Sequence, residues 1–398
     1  MPKHLGRLLA LGALCVAYAH AQNPSLEDRL ARVEAAIARI EAKLNDTVSA
    51  DELAPTLKEF SDLTRQLGWD GKAPLNVVKA AGTEQKLALG GFVHAQFETG
   101  GAPDTRYTGL NDRFLLRRTR VNLAGSFAEN VAFKLEADFG NNSIATKTGI
   151  SGQLTDAFVN WTPDSRASVR MGQFKTPFGY EQLQPDTKTY TIERSLPNDR
   201  LTVSRQIGAM LYGDPVPKRL TYSVGAFNGT GVNTSSNDNQ KFMWVGRVNG
   251  IVHEGTIGTR KARLSAGTDY FTTKDKGTFT GRREGYSADA QLVVGSAELQ
   301  AEWLRNTQHP AAGAVVTAEG WSMLGRYNFT PRWQGVVRYE NYDSNTATAA
   351  TTSKLWTFGV NFLLKGDDLK FSLNYLQGDP AAPVPSDHRL LGRIQVVF

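Results

Sequence analysis

From Leu87 to Phe398, apolar and polar residues alternate with a period of two. Trp333, Gly335, Val337 and Tyr339 share one phase; Gln334, Arg338 and Glu340 share the other. Leu369, Phe371, Leu373 and Tyr375 oppose Lys370, Ser372 and Asn374 in the same way, and Trp356, Phe358, Val360 and Phe362 repeat the pattern. Successive side chains of a strand point to opposite faces, so this period predicts strands with one apolar and one polar face.

The connections between these runs alternate in length. Tight turns are predicted at Ala128-Glu129-Asn130, Pro163-Asp164-Ser165, Gly295-Ser296, Thr330-Pro331 and Gly366-Asp367-Asp368, with slightly longer ones at 213–219 and 251–261. Long polar loops are predicted near 100–112, 139–153, 175–205, 228–241, 274–284, 306–318, 342–353 and 377–388. About eight loops and seven turns imply about sixteen strands. The predicted fold class is all-β: a transmembrane antiparallel β-barrel with short turns on one side of the membrane and long loops on the other. A soluble barrel or tandem sandwich has no reason to alternate its connections so regularly. The last strand, residues 390–398, finishes on Phe398 and looks like the C-terminal recognition signal of outer-membrane barrels.

The N-terminal part follows other periods. Lys3 and Arg7, the apolar run Leu8 to Ala19 and Ala19-His20-Ala21 predict a secretory signal over 1–21. A membrane-anchor helix would need a longer apolar run. Leu26, Leu30, Val33, Ile37, Ile40 and Leu44 are spaced alternately four and three apart, which is a heptad seam. Glu27, Glu34 and Glu41 fall at e, with Arg29 and Lys43 at g. That pattern predicts a parallel coiled coil within a periplasmic helical segment over 22–68; a single amphipathic helix lying on the barrel is the other reading. Residues 51–67 suggest a second short helix ended by Gly68, and 69–86 read as a linker before a barrel over 87–398.

Composition adds limits. The chain has 398 residues, 10% aromatic, with 38 Gly, which suits many strands and turns. No apolar run of about eighteen residues follows the N-terminus, so helical spanning is excluded. The single Cys15 lies in the signal, so disulfides do not stabilise the mature chain. A formal charge of +6, with Lys3 and Arg7 lost on cleavage, does not imply nucleic acid.

A sixteen-stranded barrel leaves room for an aqueous channel, so inward charges carry the chemistry. With Leu115, Val121, Leu123 and Phe127 toward lipid, Arg118 and Arg120 face inward and Arg117 sits at the loop-side rim. Lys134, Arg170, Arg247, Arg263, Arg326, Arg338, Lys370 and Arg393 share the inward phase. Arginine suits oxyanions because its planar fork donates paired hydrogen bonds. The acids Glu136, Asp138, Asp156, Asp269, Asp289, Glu302 and Glu340 also face inward, and some of these cations pair with them. The segment 175–205 is long enough to fold inward and narrow the channel; its charged residues are Lys175, Glu193, Arg194, Arg200 and Arg205. An external cap or a subunit contact is the other role for it.

His94 is in the inward phase near Gln96 and Glu98, while His253, His309 and His388 fall at turns or loops. None joins a nucleophile–base pattern, and there is no His/Cys cluster for a metal. No cofactor is expected. An outer-membrane enzyme and a purely structural barrel are the rival classes.

The residues Arg117-Arg118-Thr119-Arg120 leading to Gly125, Val169-Arg170-Met171-Gly172-Gln173-Phe174-Lys175-Thr176-Pro177-Phe178-Gly179, Glu193-Arg194-Ser195-Leu196 and Arg205-Gln206-Ile207-Gly208 resemble the phosphate-selective porin O/P family. The likeness covers about residues 85–398. It implies a sixteen-stranded homotrimeric barrel among outer-membrane lipids, inward-folded loops and passage of small anions past arginines. It also implies that Arg117 and Arg118 approach the narrow central site. Phosphate is the substrate that the family name implies; a general anion channel without a phosphate site is the alternative.

Overall fold

The computed structural model describes residue 35 and residues 77–79, 86–128, 130–140, 143–144, 152–276 and 279–398. The signal, the second helix and nearly all of the coiled coil and linker lie outside the described residues. Ala35 is helical, and Val77–Lys79 forms a short strand, β1, inside the expected linker. Val77 of β1 lies opposite Ala88, so the pair is antiparallel.

Sixteen strands follow: β2 (Lys86–Gly100), β3 (Arg113–Ala128), β4 (Val131–Asp138), β5 (Gln153–Asp164), β6 (Ala167–Lys175), β7 (Arg205–Val216), β8 (Leu220–Phe227), β9 (Met243–Ile257), β10 (Arg260–Asp275), β11 (Gly281–Val294), β12 (Ala297–Pro310), β13 (Val316–Asn328), β14 (Trp333–Asp343), β15 (Thr352–Leu363), β16 (Leu369–Asp379) and β17 (Asp387–Val397). Each pairs with the next, and β17 pairs with β2 to close a sixteen-stranded antiparallel barrel. Closure removes the edge strands and satisfies the backbone groups that lipid cannot.

At the seam, Gly91 N donates to Phe398 O at 2.9 Å and Phe398 N donates to Gly91 O at 3.0 Å. Side chains cross it as well. Arg393 donates to Gln96 Oε1 at 2.9 Å, Gln395 Oε1 lies 2.8 Å from His94 Nε2, and Arg389 donates to Gly100 O at 2.6 Å.

Turn and loop lengths follow the predicted alternation, with differences at the ends. The turn expected over 251–261 is only residues 258–259, because β9 continues to Ile257. The loops expected at 274–284 and 306–318 shrink to 276–280 and 311–315. Polar residues beyond the apolar band stay in the ladder, because strand hydrogen bonding does not depend on a lipid contact. The outward phase is as expected: Trp333, Val337, Trp356, Phe358, Phe371 and Leu373 are exposed, whereas Arg338, Glu340, Lys370 and Asn374 are buried inside. Neighbouring strands stack outward aromatics, Tyr270 on Tyr286 at 4.9 Å and Trp321, Tyr339 and Trp356 in series at 5.3 and 4.6 Å. Such belts sit at membrane interfaces.

Strands β5 to β7 approach closely where glycines meet. Gly172, opposite Gly208 in the ladder, has φ +130°, and a Cβ there would lie 2.1 Å from Ala157 O. Only glycine fits.

Candidate functional site

The segment 176–204, between β6 and β7, folds into the barrel. Two short helices shape it, α1 (Tyr180–Leu183) and α2 (Leu196–Leu201). Ser195 caps α2 by accepting from Asn198 N at 3.3 Å, and a proline occupies its first turn. Both features are readable in Ser195-Leu196-Pro197-Asn198.

The opposite wall holds this segment by its backbone. Asp269 of β10 accepts from Gly179 N at 2.7 Å, and Glu302 of β12 accepts from Tyr180 N at 2.6 Å and Glu181 N at 3.3 Å. Glu340 of β14 accepts from Leu196 N at 2.5 Å, and Asn374 of β16 accepts from Ile192 N at 2.7 Å. Lys370 donates to the carbonyls of Thr187 and Thr189 at 3.2 and 3.1 Å. Apolar packing adds to this. Phe178 is fully buried and meets Phe271 edge-on at 4.8 Å, and Ile192 packs with Tyr107, Leu355, Leu376 and Leu391. Each fully buried side chain of this size contributes about 1.5–3 kcal/mol.

The loop after β2 turns inward too. Arg106 donates to Asp199 at 2.6 Å and to Arg194 O at 2.8 Å, and Tyr107 is fully buried beneath the Arg389 guanidinium.

The expectation for Arg117 is corrected. It lies inside with Arg118 and Arg120, all three buried, and not at the rim. Phe114 and Leu116 are exposed before it, and Val121 is exposed after it. The outward phase therefore changes from even to odd positions at Arg117–Arg118, and Leu115 leaves the outward phase assigned to it. The ladder is interrupted here: Thr119 N donates to the Asp138 side chain at 3.0 Å, and Gly140 N donates to the same oxygen at 2.9 Å. An extra residue in one strand shifts the alternation in this way.

The three arginines face acids of the inward segment. Arg117 donates from Nε and Nη2 to Glu193, both at 2.8 Å, and Arg393 reaches the same carboxylate at 2.8 Å. Arg118 lies 3.4 Å from Asp186. Arg120 donates to Asp186 at 2.6 Å and to Asp138 at 2.8 Å. Burial raises the Glu193 carboxyl, but Arg117, Arg393 and Arg118 outweigh it and hold it well below the usual carboxylate range. Asp186 is held low in the same way, burial being outweighed by Arg118, Arg194 and Arg120. Both acids were absent from the predicted inward wall charges, although Glu193 was in the predicted loop set.

Six of the remaining predicted residues form three pairs. Lys134 and Arg205 meet at Asp156, at 2.8 and 2.6 Å. Lys175 and Arg194 brace the inward segment itself: Lys175 donates to Gln182 O and Gln184 O at 2.7 and 2.8 Å, and Arg194 to Asp186 at 2.7 Å. Arg326 pairs with Glu298 at 2.7 Å and Arg338 with Glu340 at 2.7 Å, both on the far wall. Arg200 bonds Thr105 at 3.1 Å, above the constriction, and Arg263 is exposed. Arg170 has a different setting. Its Nε donates to Asn160 at 2.8 Å, and its guanidinium lies over Phe158, Phe174 and Tyr212.

Cavities flank the inward segment. One of about 580 Å³ opens among Thr105, Arg106, Thr108, Arg117, Asp199 and Arg200. The Arg117 Nη1 has no partner among the described residues.

A closed sixteen-stranded barrel with a polar lumen, narrowed by an inward segment, has the construction of an outer-membrane porin. The chain belongs to the phosphate-selective porin O and P family, whose model matches residues 87–398. No curated protein matches it in sequence. Solved structures share the fold at low identity. The outer membrane channel DcaP of Acinetobacter baumannii is 14% identical with a TM-score of 0.59, covering 79% of this chain and 97% of that one. An anion-selective porin from Comamonas acidovorans is 14% identical with a TM-score of 0.57, covering 79% and 100%. OmpT of Vibrio cholerae, in trimer form, is 9% identical with a TM-score of 0.56, again covering 79% and 100%. The family and fold make this chain a bacterial outer-membrane porin.

Proposed function

We propose that this porin passes small anions by diffusion along the β3–β7 and β17 side of its lumen. The observation that carries this reading is the excess of cations there. Arg117, Arg118, Arg120, Lys134, Arg170, Lys175, Arg194, Arg205 and Arg393 outnumber Glu136, Asp138, Asp156, Asp186 and Glu193. The facing wall reverses the balance, with Asp269, Asp289, Glu298, Glu302 and Glu340 against Arg247, Arg326, Arg338 and Lys370. Charges separated across a narrow, low-dielectric passage favour anions along the basic side. The outer cavity lined by Arg106, Arg117 and Arg200 is the entry for an oxyanion, and phosphate is the substrate that family membership suggests.

A second reading is a general anion porin without a phosphate site. It is favoured by the pairing of Arg118, Arg120, Arg326 and Arg338 with carboxylates, which leaves them a field but few free donors. Chloride conductance of purified protein in planar bilayers, titrated with phosphate, separates the two. Competition by phosphate at concentrations well below chloride supports the first; none supports the second. Cation selectivity in a salt gradient refutes both.

Cleavage after residue 21, a periplasmic helical segment and a homotrimer complete the proposal. OmpT in trimer form supports the last, and the heptad seam over 26–44 supports a coiled coil that adds to it. Deleting 25–68 should lower the trimer melting temperature; an unchanged value would remove the coiled coil from assembly.

A further inference from the structure

A cavity of about 420 Å³ lies between the inward segment and β5–β9. It is on the short-turn side of that segment: Pro177 and Leu183 form its roof, and Thr221 and Ser223, near the start of β8, line its far end. Its lining is mixed, with Lys134, Asp156, Lys175 and Arg247 beside apolar residues. Phe158, Phe174, Met210, Pro177 and Leu183 supply apolar surface.

Arg170 is one of four cations that line it. Phe158, Phe174 and Tyr212 have ring centroids 4.2, 5.3 and 5.2 Å from its Cζ. Its only hydrogen bond among the described residues is from Nε to Asn160. No carboxylate among them lies within ion-pair distance, in contrast to Lys134 and Arg247 in the same cavity. Three ring faces attract and orient the guanidinium without neutralising it. Both Nη atoms therefore remain for a ligand, in the end-on fork that a carboxylate accepts.

An inorganic anion would use that fork and leave the apolar lining in contact with water. We propose that this cavity is a subsite for small carboxylates with an apolar or aromatic body, whose carboxylate meets Arg170 and whose body packs against Phe158, Met210 and Leu183. The inference rests on the anion-channel reading and adds the chemical class of the preferred solute. The aromatic contact adds about 0.5–1.5 kcal/mol, a gain of roughly twofold to tenfold over acetate.

The test compares block of chloride conductance by benzoate, acetate and phosphate in planar bilayers. It uses the wild-type protein, Arg170→Gln and Phe158→Leu, each first shown to be folded by its heat-modifiable gel mobility. Benzoate should half-block at a roughly twofold to tenfold lower concentration than acetate. Arg170→Gln should abolish that preference. Phe158→Leu should narrow it toward parity, and it provides the test if the arginine variant does not fold. Equal block by benzoate and acetate in an anion-selective wild type overturns the subsite and leaves the anion channel standing. So does a benzoate preference that survives both substitutions. A cation-selective wild type overturns the channel reading and the subsite with it.

Discussion

Replacing Glu193 with Gln tests the link between the inward segment and selectivity. The Glu193 carboxylate accepts two bonds from Arg117 and one from Arg393, all at 2.8 Å, and a longer one from Gln96 at 3.3 Å. It is buried, as are both arginines. Glutamine keeps the shape and one acceptor oxygen but removes the negative charge. Its amide also presents donors to guanidiniums that can only donate. Two cations then remain buried against each other, with Arg118 nearby. Removing one partner of a buried pair costs about 3–5 kcal/mol. The barrel ladder is untouched, so the cost falls on the docking of residues 191–195. The expected outcome is a folded protein with higher single-channel conductance and a reversal potential shifted further to the anion side. Two measurements check it: conductance in symmetric potassium chloride and reversal potential in a tenfold gradient. Unchanged values for both, with gel mobility confirming a folded protein, would refute the claim that this pair holds the constriction.

Arg120→Gln removes the partner shared by Asp138 and Asp186, and anion selectivity in the same gradient should fall; no change would move the filter away from β3. Acid should act late. The Glu193 and Asp186 carboxyls are held below their unfolded values, so their stabilisation is complete above the ordinary carboxylate range and is lost only as pH falls through the depressed values. The difference in conductance between the wild type and Glu193→Gln should therefore hold from pH 7 to about pH 5 and shrink only below about pH 4; a difference that collapses near pH 6 would contradict this. Gly172→Val would drive a side chain into Ala157 O, and the heat-modifiable folded band should be lost or much reduced.

Much of the barrel is legible because its two signals are local. Alternation along Trp333–Tyr339 or Leu369–Tyr375 needs only neighbouring residues, and so does the contrast between Pro163-Asp164-Ser165 and residues 176–204. The same phase places Arg118, Arg120, Arg326 and Arg338 inside. Arg117 is misplaced because a strict period of two cannot anticipate an interruption that depends on Asp138, about twenty residues away. Asp186 carries no local signal: it becomes central because Arg118, Arg120 and Arg194 converge on it from two elements. Tyr107 reads as a loop residue, and only Arg389 and the cluster beneath it make it buried. Pairings between distant segments are settled by closure of the barrel, which no single stretch encodes.

The seam between β2 and β17 has a consequence for assembly fidelity. A slip of two residues there would leave each side chain on the face it now occupies, so the alternation of faces cannot reject it. The crossing side chains can. Arg393 fits Gln96 and Gln395 fits His94 only in the observed alignment. A slip would bring Arg393 opposite His94, or opposite Glu98, which already pairs with Arg113 and Arg389, and would take Phe398 away from Gly91. The polar face of the final strand thus serves as a proofreading key for the step that turns an open sheet into a sealed pore.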